Sequence, residues 1–216
     1  MKKNIDVFFI VDCSKMAEDY IDNIDTFMRA MVNSMIISRF LQDHNIYVNI
    51  FSFGGKFSKS RNIIMMDKPL KKIDDVDISI SHCGGAADPD AALRAAVSHG
   101  VARYDEWILM GEKAERPVFF FLSGGNFESV DGNAAKKNII AQRYEIAAAM
   151  IREFIADKKI RLYVCAIDTY NKAADTSTLA LMLTDEKKQL IKMFSSFMYS
   201  ASERFVKILS DFKGVY

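Results

Sequence analysis

The feature that most constrains this chain is an unbroken apolar run, Val7–Val11, which ends on the carboxylate of Asp12. A run rich in Val, Ile and Phe predicts a strand that is buried on both faces of a sheet. Asp12 then stands at the carboxyl end of this strand, where open α/β sheets bind ligands if the strand order changes there. Asp12 is therefore either a site residue or a structural acid that caps the next helix, and its position favours neither.

Apolar runs alternate with amphipathic segments along the rest of the chain. Further core strands are predicted at Ile46–Phe53, Pro117–Leu122 and Ile160–Ile167. Helices are predicted at Glu18–Gln42, from Pro89 to about Trp107 with Asp88 as N-cap, and at Ile139–Ala156. This alternation predicts an α/β fold with a doubly wound, mostly parallel central sheet and helices on both faces.

Shorter segments complete the predicted organisation. A short strand at Arg61–Met66, ended by Pro69, is expected beside the second core strand, and an edge strand at Leu179–Leu183. One or two closing helices are expected at Glu186–Phe212. Because no linker or repeat interrupts the chain, residues 1–216 are predicted to form a single domain. Its core is placed at about residues 5–167, and a C-terminal helical extension at about residues 179–216.

Composition narrows the class of protein. Half of the residues are hydrophobic and the formal net charge is only +1, so the balance predicts no general attraction to nucleic acid or to an acidic membrane surface. The three cysteines are scattered, which indicates reduced thiols. No stretch reaches the roughly 20 apolar residues of a membrane span. We therefore expect a cytoplasmic protein.

Several common enzyme motifs are missing from the sequence. Gly55-Lys56 is not followed by the Ser or Thr of a phosphate-binding loop, and no strand leads into GxGxxG. The three histidines are spread without ligand spacing, and neither Cys13 nor Cys83 has the arginine that closes a phosphatase loop. We expect no enzyme. The alternative is an Asp-dependent hydrolase in which Asp12 is the nucleophile or base, although a dehalogenase-like site has a second aspartate where Ser14 stands.

Four segments together resemble a known family. VFFIVDCSKM, VNIFSFGGKF, CGGAADPDAALRAA and PVFFFLSGGNFES occur in the order and spacing of von Willebrand factor A domains, in particular those of the bacterial tellurite-resistance Y-type group. In that group the first strand ends in DxSxS, the second strand reads roughly VITFGG, a GGT loop precedes a helix, and the fourth block is LTDGxPTD. The resemblance covers about Ile5–Ile167 and continues loosely into SSFMYSASERF. It implies the Rossmann-like fold of that family.

The resemblance also implies a metal-ion-dependent adhesion site, but in degenerate form. Of the five ligating positions, Asp12 and Ser14 match, whereas the others fall on Met16, on Ala86 or Ala87, and on Gly124. Magnesium requires a nearly octahedral shell of oxygens, which these side chains do not supply. Asp12 and Ser14 are then vestigial positions, and no cofactor is expected beyond a weak residual magnesium ion helped by water, Ser123 or Asp88.

Loops at the carboxyl end of the sheet are the expected binding face, because rigid scaffolds usually carry function there. These loops are Cys13–Glu18, Ser81–Asp90, Ser123–Asn133 and Asp168–Thr178. The candidate binding residues on them are Asp12, Ser14, Lys15, Asp88, Ser123 and Asn126. The alternative is that the loops only connect elements and a helix face binds.

Together with the resemblance, the expected binding loops predict a metal-independent protein–protein interaction module of a stress-resistance or defence system. Its partners would be kinase or phosphatase proteins of the same gene cluster, not nucleic acid or membrane.

Overall fold

The computed structural model describes residues 2–37, 44–54, 65–72, 84–129 and 131–194, which contain a six-stranded sheet. The strands are β1 (Lys3–Asp12), β2 (His44–Phe53), β3 (Met65–Lys72), β4 (Val118–Ser123), β5 (Arg161–Asp168) and β6 (Leu190–Phe194). The α-helices are α1 (Ile21–Ile37), α2 (Asp90–Leu109), α3 (Ala134–Ala156), α4 (Thr176–Ala180) and α5 (Glu186–Gln189). A short 3-10 helix, Lys15–Ala17, precedes α1.

The strand order, β3-β2-β1-β4-β5-β6, places β1 in the interior of the sheet. β1 pairs in parallel with both β2 and β4, and the parallel pairing continues through β5 to β6. Only β3, at the edge, runs antiparallel to its neighbour β2. The predicted α/β fold with a mostly parallel sheet is therefore confirmed.

Alternate residues of β1 face two separate cores. Val7, Phe9 and Val11 pack with the apolar side of α1, whereas Phe8 and Ile10 pack with α2, α3 and α4 on the other face. A strand that is buried on both sides has to be apolar at every position, because each face of the sheet is covered by helices. The helices on both faces of the sheet thus explain why the run Val7–Val11 is apolar at every position.

The edge strand β3 differs from its predicted position. Arg61–Met66 was expected to be the strand and Pro69 its end, but β3 begins at Met65 and runs through Pro69 to Lys72, and residues 61–64 lie outside the described residues. The pairing register shifts so that Pro69 and Leu70 together oppose Asn49 of β2. Such a bulge on an edge strand accommodates a residue that has no backbone N–H to donate.

The predictions for the last third of the described chain are partly wrong. The segment expected as an edge strand, Leu179–Leu183, overlaps α4, whose first turn is capped by the side chain of Asp175 accepting from the Thr178 N–H. A short apolar run does not by itself distinguish a strand from a buried helix. The closing helix predicted from Glu186 is only α5, and the next residues form β6, in which buried Ile191 and Met193 alternate with exposed Lys192. The C-terminal segment from residue 179 therefore contributes a strand to the sheet, and its part beyond residue 194 lies outside the described residues.

The predicted helix starts are also shifted. α1 begins at Ile21, after the 3-10 helix, and α3 begins at Ala134, where the side chain of Asn133 accepts from two backbone N–H groups of the first turn. α2 begins at Asp90, one residue later than predicted, but Asp88 still accepts the Asp90 N–H as a capping side chain would (3.4 Å). No helix among the described residues is both long enough and apolar enough to cross a membrane.

Candidate functional site

The strand order changes direction at the carboxyl ends of β1 and β4. The chain passes from β1 to β2 on one side and later returns to β4 on the other side of β1. Asp12 is the last residue of β1 and Ser123 is the last residue of β4, and the Ser123 hydroxyl donates to Asp12 Oδ2 at 2.9 Å. Such a switch point is where open α/β sheets usually bind ligands. The strand order therefore puts Asp12 at the expected place for a site.

Both carboxylate oxygens of Asp12 are occupied by donors from the protein. Oδ1 accepts from the Ser14 backbone N–H at 3.0 Å and from the Ser14 hydroxyl at 2.6 Å. Oδ2 accepts from the Ser123 hydroxyl and from the Tyr20 hydroxyl, the latter at 3.2 Å. Asp12 is only 1% exposed. The carboxylate therefore acts as the acceptor at the centre of an internal hydrogen-bond network, which we call the Asp12 network (Asp12, Ser14, Tyr20, Ser123 and Gly124).

Tyr20 connects this network to the β4 loop and was missed by the sequence analysis. Its hydroxyl donates to Asp12 and accepts from the Gly124 backbone N–H at 3.0 Å. Tyr20 is buried and lies immediately before α1, where the helical spacing of apolar residues does not distinguish a tyrosine from an ordinary core residue. The only sequence signal for its role was weak, namely a hydroxyl group a short distance along the chain from Asp12.

Burial and hydrogen bonding act in opposite directions on the groups of the Asp12 network. Burial raises the pKa of the Asp12 carboxyl, while the donors from Ser14, Ser123 and Tyr20 lower it and partly offset the effect. Burial, together with the nearby charge of Asp12, raises the pKa of the Tyr20 hydroxyl well above its ordinary value. Tyr20 therefore remains protonated and serves as a donor to Asp12 at any physiological pH.

The described parts of the four predicted loops converge above this network. The Lys15 N–H donates to the Gly85 carbonyl, the Ala87 N–H to the Glu128 carbonyl, and the Asp175 N–H to the Gly124 carbonyl. The end of β2 approaches as well, since the Cys13 N–H donates to the Phe53 carbonyl and a Cβ at Gly54, whose φ is +98°, would overlap the backbone of Ser14. The loops are therefore held together by backbone hydrogen bonds.

The structure brings together only some of the predicted site residues. Asp12, Ser14 and Ser123 share the network, and Asn126 lies beside it, donating from Nδ2 to the Gly124 carbonyl at 3.0 Å. Lys15 lies on the exposed surface of the same face. Asp88 is instead engaged by a residue of α3, accepting from Arg143 at 3.1 Å. Burial raises the pKa of Asp88, and the Arg143 guanidinium partly offsets this effect.

The residues at the switch point do not fit a magnesium ion. Met16, Ala86, Ala87 and Gly124 have no side-chain oxygen, and the oxygens of Asp12 already face internal donors. Within the described ranges, no group of three His, Cys, Asp or Glu side chains is placed to hold a metal ion. Gly124 does not need to be glycine for backbone reasons, because a Cβ there would lie 3.4 Å or more from its neighbours at an ordinary φ. The backbone at position 124 would therefore also accept a residue with a side chain.

Several solved structures have a fold similar to that of this chain. No protein-family model matches the chain, and no curated protein sequence does. The open form of the pilus adhesin SpaC from Lactobacillus rhamnosus GG is similar at a TM-score of 0.62 and 13% identity, over 96% of this chain and 30% of the adhesin. Proximal thread matrix protein 1 from the mussel byssus is similar at 0.55 and 14%, over 96% and 46%.

A third similar structure is that of the manganese-loaded TRAP protein of Plasmodium vivax, with a TM-score of 0.50 and 16% identity, covering 94% of this chain and 74% of that protein. The chain thus spans about a third of the adhesin and just under half of the mussel protein. At these identities the similarity concerns the fold alone. The protein has a von Willebrand factor A-like α/β fold with its switch point at Asp12 and Ser123.

Proposed function

We propose that this protein is a metal-independent protein–protein interaction module that binds its partner with the loop face at the carboxyl end of the sheet. The observation that carries the proposal is the Asp12 network. Its donors occupy both oxygens of the switch-point carboxylate, and backbone hydrogen bonds fix the surrounding loops. A rigid, pre-formed loop face binds a partner without a large ordering cost.

The same network argues against the alternative, an Asp-dependent hydrolase. A nucleophile or general base has to come within hydrogen-bond reach of its substrate. Asp12 is buried, and its acceptor positions are taken by Ser14, Tyr20 and Ser123. Ser14 also stands where a dehalogenase-like site has its second aspartate. Binding therefore accounts for this arrangement better than catalysis does.

The sequence resemblance supports a proposal for the kind of partner. It is to a bacterial group of tellurite-resistance proteins, so we assign the protein to a cytoplasmic stress-resistance or defence system. Its partners would be the kinase or phosphatase proteins encoded in the same gene cluster. The nearly balanced charge supports a protein partner over nucleic acid or an anionic membrane.

Metal independence is tested by thermal unfolding with magnesium chloride or manganese chloride. A ligand that binds only the native state stabilises it, by about 2.7 kcal/mol at 100 times its dissociation constant. We expect no stabilisation of the unaltered protein. The matched positive control carries Met16→Ser, Ala86→Thr and Gly124→Asp, with Ala87→Thr as the alternative second change. This variant should gain stability from the ion. A rise in the melting temperature of the unaltered protein would refute metal independence.

The loop face is tested with a pair of charge reversals. Lys15→Glu alters the exposed surface of the loop face, whereas Lys113→Glu makes the same change at the opposite end of the sheet, where the Lys113 carbonyl accepts from Asn4. Binding of the purified products of the neighbouring genes is measured by interferometry. We expect Lys15→Glu to weaken binding and Lys113→Glu to leave it unchanged. Equal effects of the two changes would exclude the loop face as the binding surface. If none of these gene products binds the protein, the proposed partner class is refuted.

A further inference from the structure

A small cavity lies beside the loop face, between the β4–α3 loop, the first half of α3 and the segment that carries α4. Its volume is about 140 Å³, and its lining includes Asn126, Phe127, Glu128, Tyr144, Glu145 and Asp175. A water molecule takes about 30 Å³ in the liquid, so this space holds roughly five waters. That is enough for the outer part of one long amino-acid side chain.

Tyr144 lines this cavity and carries a buried hydroxyl. The residue is 1% exposed, and among the described residues its hydroxyl has no hydrogen-bond partner. Burial, and to a lesser extent the charge of Asp175, raises the pKa of this hydroxyl, so it remains neutral. A buried hydroxyl without a partner is unfavourable, and native proteins usually satisfy such groups. Because Tyr144 lines the cavity, a group bound there is the candidate partner for this hydroxyl.

The charges around the cavity determine which group it attracts. Lys137 forms an ion pair with Glu128 at 2.9 Å and lowers the pKa of that carboxyl. Burial raises the pKa of Asp175, but the hydrogen bonds from Ser177 and Thr178 lower it by more than burial raises it. The net pKa is below its ordinary value, so this carboxylate is ionised. Together with exposed Glu145, it leaves two negative charges with no matching cation among the described residues that line the cavity. The net charge of the lining residues is therefore negative, which favours a cation, and the nearby cations outside the lining are Arg152, which donates to the Leu181 carbonyl, and Lys172, which acts on Glu128.

Aromatic rings form part of the wall. The rings of Phe127 and Tyr144 lie 4.6 Å apart between centroids, at an angle of 56°. Ring faces attract ammonium and guanidinium groups and pack against the methylene stem that carries them. A long side chain with a terminal positive charge matches the volume, the walls and the charge of this cavity.

We infer that the cavity receives a basic side chain, lysine or arginine, from the protein partner. The stem packs against Phe127 and Tyr144, and the charged end lies near the carboxylates of Glu145 and Asp175. A nitrogen of the bound group donates to the Tyr144 hydroxyl, which has lone pairs to accept it. This inference rests on the proposed function, because it takes the occupant to be part of a protein partner.

The cavity is tested without the partner, by titrating ¹⁵N-labelled protein with N-acetyl-arginine methylamide or N-acetyl-lysine methylamide. The neutral control probe is the citrulline derivative, which has nearly the shape of the arginine probe. We expect a saturable shift of the Gly125, Ala141 and Thr178 amide signals with at least one basic probe and none with citrulline. The tighter of the two basic probes identifies the residue type. Equal binding of citrulline, or no saturable shift with either basic probe, would overturn the inference.

Matched variants locate the interaction. Glu145→Gln and Tyr144→Phe should each weaken binding of the basic probe about threefold, the size expected for the loss of one exposed charge pair or one hydrogen bond. Glu153→Gln makes the same charge change further along α3, outside the cavity, and should have no effect. Equal binding by all variants would refute the site. If the partner binds and only Lys15→Glu weakens it, the inference fails while the proposed function stands. If the probe binds but no neighbouring-gene product does, the proposed function fails while the chemistry of the cavity stands.

Discussion

Replacing Tyr20 with phenylalanine removes one oxygen atom from the centre of the Asp12 network. The ring still fills its place in the core, because Tyr20 is buried with α1 and β1. Two hydrogen bonds disappear: the one from the Tyr20 hydroxyl to Asp12 Oδ2 and the one from the Gly124 N–H to the hydroxyl. The change therefore measures how much of the link between β1 and the β4 loop depends on this hydroxyl.

The expected cost follows from these two bonds. A hydrogen bond to a charged acceptor contributes about 1.5–3 kcal/mol, and a buried N–H without a partner costs about 1–3 kcal/mol. Asp12 keeps its donors from Ser14 and Ser123, so the two losses do not add fully. We expect Tyr20→Phe to lower the free energy of unfolding by about 2–4 kcal/mol. This is a large part of the roughly 5–15 kcal/mol that stabilises a typical domain.

The assay is urea unfolding followed by circular dichroism, in which a lower midpoint with an unchanged slope reports lost stability. Tyr170→Phe is the matched control, because Tyr170 is 83% exposed and its ring contact with Phe194 does not depend on the hydroxyl. That change should stay within about 0.5 kcal/mol of the unaltered protein. If Tyr20→Phe is equally neutral, the hydroxyl does not hold the network together, and the account of an internally satisfied carboxylate is wrong.

Three further predictions concern groups outside this hydroxyl. Tyr144→Phe should raise the free energy of unfolding by about 1 kcal/mol in urea unfolding, because it removes a buried hydroxyl without a partner; a loss of stability would show that the hydroxyl is already satisfied. Gly124→Ala should be nearly neutral in the same assay. Gly125→Ala should cost more than about 1 kcal/mol, because Gly125 has a φ of +75° and its Cβ would lie 2.6 Å from a carbonyl oxygen; equal effects would refute this distinction. Burial raises the pKa of the Asp6 carboxyl and outweighs the lowering by Arg103, so that the pKa is about 7. Folding therefore takes up a proton, and the free energy of unfolding should fall as the pH rises from about 4 to about 7. The contribution of this group is on the order of 4 kcal/mol, and Asp6→Asn should flatten the profile, which calorimetry across that pH range can check.

Much of the fold was predictable, because its strongest signals are local in sequence. The run Val7–Val11 is apolar at every position, so it indicates a doubly covered strand without knowledge of its neighbours. The structure places this run in the interior of a parallel sheet, with cores on both faces. The failures lie where local signals are ambiguous. Leu179–Leu183 is short and apolar, a pattern that does not distinguish a strand from a buried helix. The side chain that caps the helix, Asp175, lies outside this run.

The site was predictable only as far as its residues are adjacent in sequence. Asp12 and Ser14 lie two positions apart, and their contact follows from the turn that leaves β1. Tyr20 comes into reach only through the 3-10 helix, and its bond to Gly124 joins residues that are far apart in the chain. Asp88 was placed on the right loop, but Arg143, from a helix whose start was also misplaced, engages it. Contacts of this kind depend on the packing of whole elements, which periodicity does not report.

The Asp12 network also determines how the loop face responds to its surroundings. A metal ion that linked the loops would make their geometry depend on the ion's concentration. Here the linking atoms are the hydroxyls of Ser14, Tyr20 and Ser123, which belong to the folded chain and do not dissociate. The raised pKa of the Tyr20 hydroxyl keeps its proton in place over the physiological range. On the proposed function, this face would therefore bind its partner without a divalent cation, and the thermal-unfolding test with magnesium chloride checks that expectation.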